Sequence, residues 1–329
     1  MKRNANLLSQ ILELNNMYEA MLNASRNKRN RKEVALFQRN ANSKINTLIK
    51  EVLAGTYKPL PYHNFFVYQP KKREIFAPNF RDVVLQHAIY QILYPLFNKT
   101  FCAASHGLRK NRGGHSAVEY LQKQMRKTSK ERYFLQMDIR KFYASIKPQI
   151  LRKLLERKIK DKQVVELCML FVNEELGIPM GNLLSQLFGL IYLNPLDDFI
   201  KRELRVKKYV RYCDDFVLLD LSKEEVEFLK EKITFFLSET LALSLSKAHF
   251  AKIKSGINFV GFRVWQSHKL VRKHTMFRFK TYCKNRRLNS VISALGHALN
   301  TQSFQYYLKI AKTYGVFEEL PTKFKRRER

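Results

Sequence analysis

Acidic residues are scarce in this chain. Only 28 of its 329 residues are Asp or Glu, against 61 Lys or Arg, so the formal net charge is +33. A field of that size and sign points to a polyanionic partner. Cysteine is scarcer still. Cys102, Cys168, Cys213 and Cys283 stand alone, with no C-x-x-C pair and no histidine at ligand spacing, which excludes a structural zinc site and leaves reduced thiols. The 8 histidines are scattered and form no ligand set. Long apolar runs are missing too. The longest, Leu183 to Leu193, is broken by Ser185 and Gln186 and falls short of the ~18 residues a spanning helix needs. No basic amphipathic anchor is present, and Glu13 with the neighbouring asparagines interrupts any signal-peptide core after Met1-Lys2-Arg3. A cytoplasmic protein without membrane contact is expected. There is no internal repeat and no low-complexity linker. A disordered basic tail is excluded by the 45% hydrophobic content and 24 phenylalanines, which require a folded body beneath the cationic surface.

Helical spacing of Leu7, Leu8, Ile11, Leu14, Tyr18, Met21 and Leu22 predicts an amphipathic helix over 7–24, ending in the charged run Arg26 to Lys32. A second helix is expected from Glu33 to Leu53, closed by Gly55. Between Tyr57 and Pro78 short extended runs alternate with prolines, and Lys71-Lys72-Arg73 falls in a hairpin where a cation, Arg73 by preference, can reach a triphosphate. Helices are then expected after Arg81-Asp82 and over Ser116 to Met125. The second follows a glycine-bearing basic loop, Gly107-Leu108-Arg109, whose amides and guanidinium suit phosphate oxygens.

Tyr133 to Asp138 reads as a buried strand ending in a carboxylate, and Pro148 starts the next helix. Gly177 to Gly181 is a turn opening a long apolar helix. Tyr212-Cys213-Asp214-Asp215 sits between two apolar runs as a hairpin tip with the two aspartates as its turn residues, and Ser222 to Glu225 forms a capping box. Leu243 to Lys247 and Ile257 to Val264 are further strands. Beyond Lys269 the chain reads as helical and basic. Strand, helices, hairpin, helix and strand in this order specify an α+β fold, an antiparallel sheet backed by helices on one face.

Two adjacent carboxylates repel unless a cation lies between them. A lone Asp-Asp turn is usually just solvated, so the companion matters: Asp138 at a strand end and Asp214-Asp215 in a hairpin are the parts of a two-metal phosphoryl-transfer site, in which two Mg²⁺ ions lie roughly 3.5 to 4 Å apart.

At these residues the chain resembles the reverse transcriptases. Tyr212-Cys213-Asp214-Asp215 is similar to their YxDD box, Gln136-Met137-Asp138-Ile139 through Tyr143 to the first catalytic aspartate motif, and Ile257 to Val264 to the primer grip. Group II intron and retron-like enzymes usually carry glutamine before the second glycine of Gly177-Ile178-Pro179-Met180-Gly181, and proline after the serine that follows. Here these positions are Met180 and Gln186. The Gly-x-x-x-Ser-Gln pattern resembles the reverse transcriptases of diversity-generating retroelements.

That resemblance implies a right-hand polymerase: an N-terminal helical extension over 1–56, fingers and a ferredoxin-like palm over 57–268, and a basic helical thumb over 269–329. It implies a cofactor pair of Mg²⁺ ions held by Asp138, Ile139, Asp214 and Asp215, with the three aspartates catalytic. The nucleotide would be bound by Arg73, Arg109, Ile139, Tyr143, Met180, Gln186 and Lys247, with Tyr143 against the deoxyribose. The partners implied are a template-repeat RNA, a primer and cDNA, and a small basic oligomeric accessory protein, with copying errors concentrated at adenines. Two other readings stay open: a group II intron-like or retron-like enzyme of ordinary fidelity, and a non-catalytic RNA-binding protein of polymerase-like shape.

Overall fold

The computed structural model describes residues 3–68, 72–173 and 177–327. Its first elements are α1 (Leu7–Leu12), α2 (Leu14–Ser25), α3 (Lys32–Arg39), α4 (Ala41–Leu53), the strands β1 (His63–Val67) and β2 (Arg73–Ala77), α5 (Phe80–Asn98) and α6 (Gly114–Arg126). Then come β3 (Tyr133–Ile139), α7 (Phe142–Ser145), α8 (Pro148–Glu156), α9 (Lys162–Met169), α10 (Leu183–Asp198), β4 (Lys208–Tyr212), β5 (Asp215–Leu221), α11 (Lys223–Leu241) and β6 (Leu245–Lys252). The last are β7 (Ile257–Phe259), β8 (Phe262–Val264), β9 (Lys269–Val271), α12 (Lys273–Lys284), α13 (Leu288–Ala298), α14 (Ser303–Thr313) and α15 (Thr322–Lys325).

Each long helix expected near the N-terminus is in fact two. Glu13 adopts extended backbone (φ −59°, ψ 134°) between α1 and α2, and Asn16 Nδ2 donates to the Ile11 carbonyl at 2.8 Å, satisfying an acceptor the break would orphan. Asn40, whose short amide side chain competes with helical hydrogen bonding, separates α3 from α4. Gly55 does close α4, at φ +67°. The expected hairpin around Arg73 forms as β1 against β2, although Lys71 lies outside the described residues. Chain beyond Lys269 is not purely helical: Lys269–Val271 pairs with Phe262–Val264 before α12 begins. Val271 is buried there, which holds this short segment on the sheet edge despite its basic neighbours.

Two compact units divide the chain, Met1–Ala103 with Ile139–Arg205 and Lys232–Ser246, and Ala104–Asp138 with Val206–Glu231 and Lys247–Arg329. In the first, α5 packs against α2 and α10. Asp82 sits near the start of α5, 1% exposed, where it accepts hydrogen bonds from the Tyr57 hydroxyl at 2.7 Å and the Leu60 amide at 2.9 Å. Burial pushes its carboxyl above the usual range, and those two bonds oppose the shift. In the second unit the buried core joins Phe134, Val217, Phe259, Phe262, Phe279 and Tyr307. A four-stranded sheet runs in the order β4-β5-β3-β6, with β3 and β4 both antiparallel to the central β5. This is the strand order of the expected ferredoxin-like palm. A separate three-stranded sheet holds β7, β8 and β9 in order. Among the described residues, no helix is long and apolar enough to cross a membrane.

Candidate active site

The β3–β5 ladder sets two of the three aspartates face to face: Asp138 is the register partner of Asp215. The turn between β4 and β5 consists of Cys213 and Asp214, so Asp215 opens β5 rather than sharing the tip, a change from the sequence expectation. Cys213 takes φ +54° there. Two-residue hairpins favour turns with positive φ at the first central residue, because only those match the strand twist. A cysteine tolerates this poorly, and the surroundings hold it in place. Arg211, 1% exposed, donates from Nη1 to the Cys213 carbonyl at 3.0 Å. Its own backbone pairs with Ala104 and His106, both at 2.9 Å. Gly107 closes the cradle, since a Cβ there would lie 2.5 Å from the Cys213 backbone nitrogen and 2.6 Å from its Sγ. Gly107→Ala is therefore expected to displace the hairpin, costing about 1–3 kcal/mol of stability and most of the activity. Parallel thermal melts and activity assays check this, and unchanged activity would contradict it.

Electrostatics follow from that geometry. Burial pushes the Asp215 carboxyl up to about 6, with Asp138 and Asp214 adding to the rise while the Gln136 amide and Arg272 oppose it. The Cys213 thiol is pushed up to about 12, chiefly by burial, so it is protonated at neutral pH. A buried carboxylate whose ionisation two neighbouring carboxylates make costlier, in a cluster of hard oxygen donors, fits a divalent cation. Among the described residues no group of three or more His, Cys, Asp or Glu side chains forms a ready-made metal cage. Asp138 with Asp215, and Asp214 in the turn, are the donors available.

Arg109 lies in the same unit, in the loop before α6, and donates from Nη1 to the Ser105 carbonyl at 3.1 Å. Lys247 is exposed on β6, at the edge of the four-stranded sheet. The other expected residues belong to the first unit. Ile139 is buried at the end of β3. Arg73 is exposed and opposite Val67 in the β1–β2 hairpin, and Gln186 is exposed on α10. Tyr143 and Met180 both line one cavity of about 380 Å³, with Tyr62, Phe76, Phe171 and Ile178. Backbone bonds build its walls, from the Phe76 amide to the Met180 carbonyl and from the Ile178 amide to the Tyr143 carbonyl, both at 2.9 Å.

Sequence reasoning missed Gln136 and Arg272 as neighbours of Asp215. Gln136 had a signal, a carboxamide inside an otherwise buried strand. Arg272 had none, being one of many cations in a basic stretch.

Comparison with known proteins identifies the family. The family described as reverse transcriptase (RNA-dependent DNA polymerase) matches residues 68–264. The chain is similar to protein YkfC of Escherichia coli strain K12, at 26% identity over 278 residues, covering 69% of this chain and 71% of that protein. It is also similar to the group II intron-encoded protein LtrA of Lactococcus lactis subsp. cremoris, at 24% identity over 330 residues and 77% of this chain. It spans about half of LtrA's own length, 54%. Among solved structures, telomerase from Candida albicans in complex with a fragment of telomeric RNA superposes with a TM-score of 0.52 at 13% identity, covering 82% of this chain and 57% of that one, a likeness of fold. With the family match spanning both the strand that carries Asp138 and the hairpin that carries Asp214 and Asp215, the chain belongs to the reverse transcriptase (RNA-dependent DNA polymerase) family.

Proposed function

We propose that the protein is an RNA-directed DNA polymerase that copies a template RNA into cDNA, and that Asp138, Asp214 and Asp215 are its catalytic carboxylates. The observation that carries this reading is the pairing of Asp138 with Asp215 across the β3–β5 ladder, beside a turn that presents Asp214. Bound there, with Ile139 completing the set, two Mg²⁺ ions would supply activation of the primer 3′-hydroxyl and charge neutralisation at the leaving pyrophosphate. The chain's own residues hold and orient. Arg73 and Arg109 take the triphosphate, Lys247 approaches the leaving group, and Tyr143 packs on the deoxyribose. Met180 lies near the nascent pair, and Gln186 belongs to the same nucleotide site. The division into an extension over 1–56, fingers and palm over 57–268 and a thumb over 269–329 belongs to the same proposal, as does a cytoplasmic location. Primer extension on an RNA template with Mg²⁺, comparing wild type with Asp214→Asn, tests it. Extension by the wild type alone supports a polymerase, whereas RNA binding without extension by either leaves a non-catalytic binder.

Within that class, Gly177 to Gln186 favours the diversity-generating retroelement type, with a template-repeat RNA, adenine-directed errors and a small basic oligomeric accessory protein. The thioether of Met180 offers adaptable apolar contact where a glutamine could hydrogen-bond, so geometric discrimination loosens. Met180→Gln is expected to lower misincorporation opposite template adenine severalfold, read by sequencing the cDNA. An unchanged error spectrum would instead favour a group II intron-like or retron-like enzyme of ordinary fidelity.

A further inference from the structure

Gln136 lies within β3, two residues before Asp138, and is 6% exposed between buried Leu135 and Met137. A carboxamide in a strand that is buried on this scale is costly unless its hydrogen bonds are made. Both amide hydrogens of Gln136 are used, and they point at two different structures. Nε2 donates to Asp215 Oδ1 at 2.8 Å and to the Asn258 carbonyl at 2.9 Å. In the ladder Gln136 faces Val217, two residues along β5 from Asp215, so its side chain runs along the sheet to reach the carboxylate. Asn258 belongs to β7, in the separate three-stranded sheet. The tip of the β7–β8 hairpin is tied in turn to the start of α12, the Arg272 amide donating to the Gly261 carbonyl at 3.1 Å.

One side chain therefore joins three strands, and it does so at the carboxylate the proposed chemistry depends on. With Oδ1 held by Gln136, the Asp215 carboxylate cannot rotate freely and keeps Oδ2 available to a cation. Groups that orient a metal-ligating carboxylate by hydrogen bonding typically govern affinity by 10- to 100-fold. We propose that Gln136 is a positioning residue that fixes the Asp215 carboxylate and clamps it to the β7–β8 hairpin, so that divalent-cation affinity and the placement of that hairpin are coupled. The inference rests on the polymerase reading for what the site does, and its structural half, the clamp, is independent of it.

Gln136→Met keeps length and volume in an apolar strand and removes both donors. Gln136→Asn keeps the amide but is one methylene too short to span both acceptors. Using the full chain, Mn²⁺ binding is measured by electron paramagnetic resonance and amide hydrogen exchange is followed over 257–264, alongside the Mg²⁺ dependence of primer extension. Both variants are expected to bind Mn²⁺ roughly tenfold or more weakly, to raise the Mg²⁺ midpoint by a similar factor with the nucleotide KM unchanged, and to exchange faster in the hairpin. Partial recovery of kcat at high Mg²⁺ separates positioning from general damage. If Gln136→Met fails to fold, Gln136→Asn carries the same comparison. Wild-type Mn²⁺ affinity and hairpin exchange in a folded variant would overturn the proposal. A wild type that neither binds Mn²⁺ nor extends a primer overturns the polymerase reading instead, and the hydrogen-exchange result then decides the clamp alone.

Discussion

Asp138→Asn is expected to reduce primer extension on the order of 10³-fold or more, while making the metal-free protein more stable. The loss follows if Asp138 is a metal-bearing carboxylate, since the amide keeps the shape and removes the charge. The gain follows from the ladder. Asp138 faces Asp215, whose carboxyl burial and two acidic neighbours lift to about 6, so removing one charge relieves a repulsion worth about 1 kcal/mol and raises Tm by about 1–3 °C. A linked pH effect has a definite sign. The folded-state pKa of Asp215 lies above its ordinary value of 3.8. Its stabilising contribution is therefore complete below about pH 4 and is lost as pH rises through about 6, an effect of order 2–3 kcal/mol. Asp215→Asn flattens that part of the stability profile. Calorimetry without divalent ions, between pH 4 and 7, reads both outcomes. A destabilised Asp138→Asn protein, or one that still extends primers, would remove the carboxylate pair from the mechanism.

The second large effect concerns Tyr143. Its ring packs against Phe142, with centroids 5.2 Å apart. A Cβ on Gly189 would stand 3.6 Å from Tyr143 Cε1, so helix α10 closes in from the side. Gly177, at φ +68°, leaves no room for a side chain, because a Cβ would meet the Tyr143 carbonyl oxygen at 2.5 Å. The ring is thus flanked by Phe142 and α10, and its backbone by Gly177, at the edge of the cavity it shares with Met180. If the deoxyribose lies on this wall as proposed, an added hydroxyl would be excluded by overpacking, a penalty of about 1–3 kcal/mol, or roughly 5- to 150-fold in selectivity. Tyr143→Ala is expected to admit ribonucleotides by that factor while extension with deoxynucleotides falls less than tenfold. Competition between the two substrates on one RNA template measures it. Unaltered sugar selectivity would show that Tyr143 is a packing residue and nothing more.

Much of this was legible in the residues. The β3 strand, the β4–β5 hairpin, the capping box at Ser222 and the helix opened after Gly181 all have local causes, namely apolar runs, a Ser hydroxyl that accepts from the Glu225 amide at 3.1 Å, and a turn of glycines and proline. Local causes failed where a tertiary one prevailed. Helical spacing carried the first helix straight across Glu13, yet Asn16 bonds both to Ile11 and to the Ala88 carbonyl of α5 at 3.2 Å, a contact no periodicity reveals. The same applies to Lys269–Val271, which heads a basic stretch and is placed in a strand by pairing with β8.

By itself the sequence determined the strand, hairpin and helix order, the surplus of positive charge and the family motifs, because these depend on side-chain chemistry and on neighbours a few residues apart. Only the tertiary structure decided that Asp138 faces Asp215, that Gly107 backs Cys213, and that Gln136 reaches both Asp215 and Asn258. Register and close approach between segments some 80 to 120 residues apart, as in the Gln136 contacts, arise from sheet pairing and core packing. No window of sequence contains them.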